Sequence, residues 1–211
     1  MNWKYKILLS IIVILIIIVI GFLCISHISK RNSKESTDKD VEVKVLESIE
    51  KYGYSLHERD SKIMKETYEE LKDILNEEDI NYDEYAKNVA KLFIIDLWTM
   101  NNKTNKYDVG GVEYIYPDNV NNFKLNVENT IYKMIENNIN GTRKQDLPAV
   151  NSIINCDLEN GEYTIGDNKM NSFIVSLEWD YDIELGYETK ATITMVKKDN
   201  KLYIVEYVPG E

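Results

Sequence analysis

An acid set in an apolar helix is the first feature of this chain that invites chemistry: Asp96 interrupts Phe93-Ile94-Ile95-Asp96-Leu97-Trp98. A carboxyl group sequestered among such residues keeps its proton to a higher pH and can then serve as a general acid or base. Trp98, Trp179 and Tyr181 are the aromatic residues expected to line a ligand pocket with it. The competing reading places Asp96 on the wet strip of its helix or in an ion pair with a lysine, because burying an unpaired carboxylate is costly.

Other constellations carry less chemistry. Glu178, Asp180, Asp182 and Glu184 alternate along one predicted strand. Their carboxylates would lie about 7 Å apart on one face. Such a row could bind Ca²⁺ only with oxygens from neighbouring strands, and no calcium-loop pattern occurs, so a solvated face partly neutralised by Lys190 is the alternative. His27 and His57 are the only histidines. No His/Cys spacing fits a metal, and a Ser-His-Asp assembly would have to use His57. The expectation is therefore no catalytic set, no metal and no cofactor. Lys103, Lys106, Arg143 and Lys144 are basic exceptions in predicted loops, read either as a docking spot for an acidic partner or as scattered solvated cations. The chain has 15 Tyr against 4 Phe, which suits a cleft or a partner surface, or equally the edge of a half-exposed sheet.

These residues are positioned by two kinds of periodicity. Ile63, Met64, Tyr68, Leu71, Ile74 and Leu75 predict a helix over 61–76 behind Asp60 or Ser61 as cap. A second helix over 82–100 follows Asn81 and carries two apolar stripes, so it should be central. Gly110-Gly111 breaks the pattern, 112–116 reads as a short strand, and Leu125, Ile131, Met134, Ile135 and Ile139 read as a third long helix. After Pro148 the period becomes two. Val150, Ser152, Ile154, Cys156 and Leu158 alternate with polar residues, Asn160-Gly161 signals a hairpin, and a strand over 172–185 follows. Gly186 and Asp199-Asn200 mark later turns, with Leu202 to Val208 closing the sheet. The fold class expected is α+β, helices packed on one face of a curved antiparallel sheet.

Composition adds a location. Residues 7–25 carry no charge and are mostly Ile, Val and Leu. As a helix they span about 28 Å, enough to cross a bilayer. They are read as a single transmembrane helix after a short tail (1–6), followed by a polar linker (26–40) and a globular domain (41–211). The flanking cations leave orientation open: Lys4 and Lys6 precede the span, whereas Lys30, Arg31, Lys34 and Lys39 follow it among Glu35, Asp38 and Asp40. The basic leader favours a C-terminal domain outside the cell. The whole chain has net charge −11; beyond position 40, 19 Lys and Arg face 33 Asp and Glu, a net −14. Nucleic acid is accordingly excluded as a partner. With 22 Lys, 3 Arg and 22 Asn, the composition points to a low-G+C, Gram-positive bacterium. Cys24 and Cys156 fall in anchor and domain, so no disulfide framework is expected.

The order of helices and hairpins over about residues 45 to 208 resembles the NTF2-like, cystatin-like cone fold. The full layout also looks like VirB8-type components of conjugation and type IV secretion machines. EKYGYSL (50–56), DVGGVEYIYPDN (108–119) and RKQDLP (143–148) are similar to segments of small membrane-anchored clostridial proteins whose activity is uncharacterised. The functional expectation is a membrane-anchored, non-catalytic interaction or assembly domain of the envelope, its partners the bilayer and either another protein or itself. The alternatives are a small-ligand-binding or isomerase-like domain with a pocket near Asp96, and a scaffold subunit of a conjugation or secretion system.

Overall fold

A computed structural model describes residues 43–210. The predicted anchor over 7–25 and the linker over 26–40 lie outside the described residues; among the described ones no helix is long and apolar enough to cross a membrane. The chain is α+β, with a four-stranded antiparallel sheet.

The two helices read from apolar spacing are present. In α1 (Lys62–Asn76), Met64, Tyr68, Leu71 and Leu75 are buried, and the Ser61 hydroxyl accepts the Met64 N–H at 3.3 Å. Ser61 is thus the cap. Asp60, the other candidate, instead accepts the His57 backbone N–H at 2.6 Å. In α2 (Tyr82–Trp98), Asn81 accepts the N–H groups of Asp83 and Glu84, and both apolar stripes are buried. The helix stops at Trp98, two residues short of the expected end, because the N–H groups of Met100 and Asn101 turn to the Pro148 carbonyl at 2.9 and 3.2 Å.

Strands β1 (Val45–Ile49) and β2 (Tyr54–His57) form a separate hairpin ahead of the helices, which the sequence pattern does not announce. Strands β3 (Val150–Ile165), β4 (Asn168–Tyr181), β5 (Lys190–Lys198) and β6 (Lys201–Pro209) follow one another across the main sheet. Val175, Leu177, Trp179, Ile193, Met195 and Ile204 face the same core as α2.

Several expectations need correction. Residues 112–116 are not a strand: Val112–Tyr114 is a 3₁₀ turn, after which Ile115 bridges Ile204 and the Tyr116 N–H donates to the Ile204 carbonyl at 2.9 Å. The third helix, α3, covers only Val120–Asn129. Asn129 and Thr130 bond back to the Leu125 and Asn126 carbonyls at 2.6 and 2.7 Å, the local competition that makes such residues poor propagators of a helix. Met134 and Ile139, read as part of that helix, lie beyond its end and are 74% and 51% exposed.

Asn160-Gly161 does not turn. Strand β3 runs through it, setting Asn160 opposite Phe173 and Gly161 opposite Ser172, and the reversal falls at Gly166, with φ +60°. Gly161 serves a close approach instead, since a Cβ there would stand 2.8 Å from Ile174 Cδ1. Long pairing with β4 outweighs the local turn preference. Irregularities between Val150 and Ser152 and between Ile153 and Asn155 shift the inward register, so Ile153 packs on the core and Ile154, expected inside, is 56% exposed. Strand β4 ends at Tyr181, not at 185, where Asp182 exchanges bonds with Ala149 through its backbone N–H (3.0 Å) and carboxylate (2.8 Å).

Gly110 is the most crowded of the described glycines, because a Cβ would lie 2.2 Å from the Asp96 carbonyl oxygen and 2.9 Å from Lys103 Nζ. Gly110→Ala is expected to destabilise by about 3 kcal/mol. Gly141→Ala, at φ +66° with nothing within 4 Å, should cost about 1 kcal/mol. Urea unfolding of both variants checks the contrast.

Candidate functional site

The end of α2 and the loop after it hold a cluster of charged groups. The Lys103 side chain is 1% exposed, and its ammonium meets Asp96 Oδ1 at 2.5 Å. The other carboxylate oxygen accepts the Gly111 N–H at 2.6 Å. At Gly111, φ +76°, a Cβ would stand 2.7 Å from the Phe93 ring, which leaves no room for a side chain. Next to this pair, Arg59 holds Asp108 through both guanidinium nitrogens, one at 2.7 Å, while Asp108 also accepts the Thr104 N–H at 2.8 Å. Arg143 donates to the carbonyls of Lys103 and Asn101 at 2.8 and 2.6 Å. The buried Tyr132 hydroxyl donates to the Leu97 carbonyl at 2.5 Å.

This geometry decides between the two readings of Asp96. Burial pushes its carboxyl up, but the Lys103 charge and hydrogen bond, the Gly111 N–H and Arg59 outweigh burial and hold it below the usual range. The shift runs away from the raised pKa that a carboxyl needs for general acid–base work near neutral pH, and the pairing with a lysine is what the structure adopts. Asp108 behaves alike, burial being outweighed by Arg59 and the Thr104 N–H. Two of the four basic exceptions are corrected as well: Lys103 and Arg143 are spent on the interior and on loop carbonyls, not on a docking spot.

The four expected pocket residues do not form one group. Trp98 and Trp179 pack with ring centroids 6.1 Å apart, Trp98 meets Tyr187 at 6.2 Å, and Tyr181 meets Tyr187 at 6.5 Å. Asp96 instead faces Lys103 and Gly111. Of the carboxylate row, Glu178 and Asp180 stay on β4, whereas Asp182 and Glu184 lie beyond its end. Glu178 is 3.7 Å from Lys190. Among the described residues no group of three or more His, Cys, Asp or Glu side chains is arranged to hold a metal. His57 lies beside Asp60, whose hydrogen bond raises its pKa against the effect of burial.

Sequence reasoning missed Glu113. Burial pushes its carboxyl up to about 7, against the Ser55 N–H, the Tyr114 hydroxyl and Lys201, which favour the anion. Both its oxygens accept the Ser55 N–H, at 3.3 and 3.2 Å. Burial lowers the pKa of Lys201, and its ammonium stands 4.2 Å from the Tyr54 ring centroid. Tyr54 and Tyr85 share a hydrogen bond of 2.8 Å, and Tyr85 accepts the Leu202 N–H at 3.2 Å, so tyrosines join β2, α2 and β6. Nothing in the segment Val112-Glu113-Tyr114 marks this acid, because its burial comes from distant elements.

An open groove of about 730 Å³ lies between α1 and the first half of β3. Ile63, Glu66 and Glu70 line one side and Ile153, Ile154 and Cys156 the other. Among the described residues β3 pairs with β4 only, so its far edge is free of a strand.

Removing the Asp96 charge leaves the buried Lys103 ammonium unpaired. Asp96→Asn is expected to destabilise by about 3–5 kcal/mol, and adding Lys103→Met to recover most of that loss, both read by urea unfolding. Glu113 gives a pH signature. The folded carboxyl keeps its proton up to about 7, the unfolded one only to 4.5, so its contribution is complete below 4.5 and lost as pH rises through 7. Glu113→Gln should therefore stabilise by about 1–3 kcal/mol near pH 8, with the gain shrinking toward acid. Asp96 and Asp108, with lowered pKa, contribute with the opposite slope in parent and variant alike, so unfolding midpoints of the two compared across pH isolate Glu113.

Compared with protein-family models, with curated proteins and with solved structures, the chain matches none.

Proposed function

We propose that this chain is a membrane-anchored, non-catalytic assembly domain of a bacterial cell envelope, tethered through residues 7–25 with its acidic domain outside the cell. The observation that carries this reading is how the domain spends its polar groups. Asp96, Asp108, Arg59, Lys103 and Arg143 bind one another or loop backbone, whereas a 16-residue strand is left with an open edge beside a groove. Groups committed in this way hold a shape; an open edge offers that shape to another chain.

An NTF2-like, cystatin-like cone is our reading of the architecture, supported by the succession of three helices and a four-stranded antiparallel meander. The narrower form of the proposal is a scaffold subunit of a conjugation or secretion machine, supported by the layout of tail, span, linker and domain in the sequence.

Amine-reactive crosslinking of intact cells, followed by affinity capture of the full chain, tests the proposal. Expected is a discrete covalent species containing a second copy or another envelope protein. Recovery of the monomer alone overturns it.

A further inference from the structure

The two edges of the main sheet are treated differently. On β6, Ile115 bridges Ile204 and the Tyr116 N–H occupies the Ile204 carbonyl, so that edge is partly closed. On β3 protection is uneven. From Asp157 onward the strand carries Asp157, Glu159 and Glu162, the charged side chains that keep a free edge from pairing at random. From Asn151 to Asn155 it carries none: Asn, Ser, Ile, Ile and Asn follow in order, with Ile154 turned outward by the irregular register. That uncharged stretch is the one that borders the groove under α1.

Charge narrows the occupant. Inside the groove Glu66 is matched by Lys62 at 3.2 Å and Glu70 by Lys91 at 3.8 Å. Farther along, Glu162 is matched by Lys169 at 2.5 Å. Asp157 and Glu159 have no ion pair among the described residues, and Asp157 accepts only the Asn155 amide at 2.7 Å. The carboxylates of the groove and of β3 without an ion pair are therefore Asp182, which lines the groove and accepts the Ala149 N–H, and Asp157 and Glu159 on the exposed side of β3, just past the uncharged stretch. A second copy would bring another chain of net charge −11 and the same carboxylates to this edge.

We infer that the edge of β3 over Asn151–Glu159 takes up an extended segment of another protein, in which apolar side chains alternate with lysine or arginine. Main-chain hydrogen bonds to the strand edge supply affinity, and alternate side chains supply specificity. Apolar side chains of the guest enter the groove toward Ile63, Ile153 and Cys156; its cations, on the opposite face, run along Asp157 and Glu159. This inference rests on the assembly-domain reading and names its surface and partner chemistry.

The probe is a blocked decapeptide of alternating valine and lysine, with its valine–glutamate counterpart as control, added to the full chain in neutral detergent micelles. Only the lysine peptide should bind, slowing amide exchange at Ile153–Asp157 by about tenfold or more. Asp157→Lys with Glu159→Lys, both exposed, should weaken binding about tenfold. Circular dichroism of the charge variant checks that it keeps the parent fold, as expected for two exposed positions. Equal binding of both peptides, no binding of either, protection elsewhere, or unchanged affinity in the charge variant overturns the inference. So does edge protection that grows with protein concentration in the absence of peptide, which would assign the edge to a second copy. A partner captured from cells alongside a failed peptide removes this inference alone, whereas a monomer in cells removes the assembly reading with it.

Discussion

The buried Lys103 ammonium is the constraint around which the central part of the molecule is arranged. A cation so enclosed is tolerated only with a carboxylate against it, and Asp96 supplies one from the last turn of α2. The pair cannot close unless the chain leaves the helix at Trp98 and doubles back, and that return brings Gly110 and Gly111 against Asp96 and Phe93 with no space for a Cβ. Arg59 and Asp108 join the loop to the segment before α1, and Arg143 reaches it from the approach to β3. Two ion pairs and one arginine, Arg143, thereby order chain from three distant parts of the sequence.

Tyrosine provides the second set of ties. Tyr54, Tyr68, Tyr85, Tyr114 and Tyr132 are fully enclosed, each ring filling core volume. The hydroxyls of Tyr54, Tyr68, Tyr85 and Tyr132 meet backbone carbonyls, an N–H or each other. A phenylalanine would supply the same apolar area without the directional bond. The abundance of tyrosine is thus largely a matter of joining the β1–β2 hairpin, α2 and β6. At the surface the same residue type meets lysine: Lys197 lies 4.0 Å from the Tyr82 ring centroid and Lys198 4.8 Å from that of Tyr116. These contacts set positive charge at the β5–β6 turn of an acidic protein.

Much of the framework was legible in the residues. Apolar spacing placed α1 and α2 within two residues, Ser61 and Asn81 proved to be their caps, and the change of period after Pro148 marked the sheet. Signals of this kind act over a few residues, where propensity and capping dominate. A distant partner overrode one local signal, since Asn160-Gly161 was carried into β3 by pairing with β4; the apolar residues beyond Asn129 were instead left outside a helix that Asn129 and Thr130 end by bonding back to its carbonyls.

By itself the sequence determined the α+β class, the two principal helices, the acidic character of the domain and the exceptional position of Asp96. Only the tertiary structure decided that Asp96 is paired with Lys103, that Lys103 is interior, and that Glu113 is the acid whose pKa burial raises to about 7. The physical reason is that the state of a charge depends on what surrounds it in space. The groups that set Asp96 come from Lys103, Gly111 and Arg59, and those around Glu113 from Ser55, Tyr114 and Lys201. No spacing along the chain encodes those encounters.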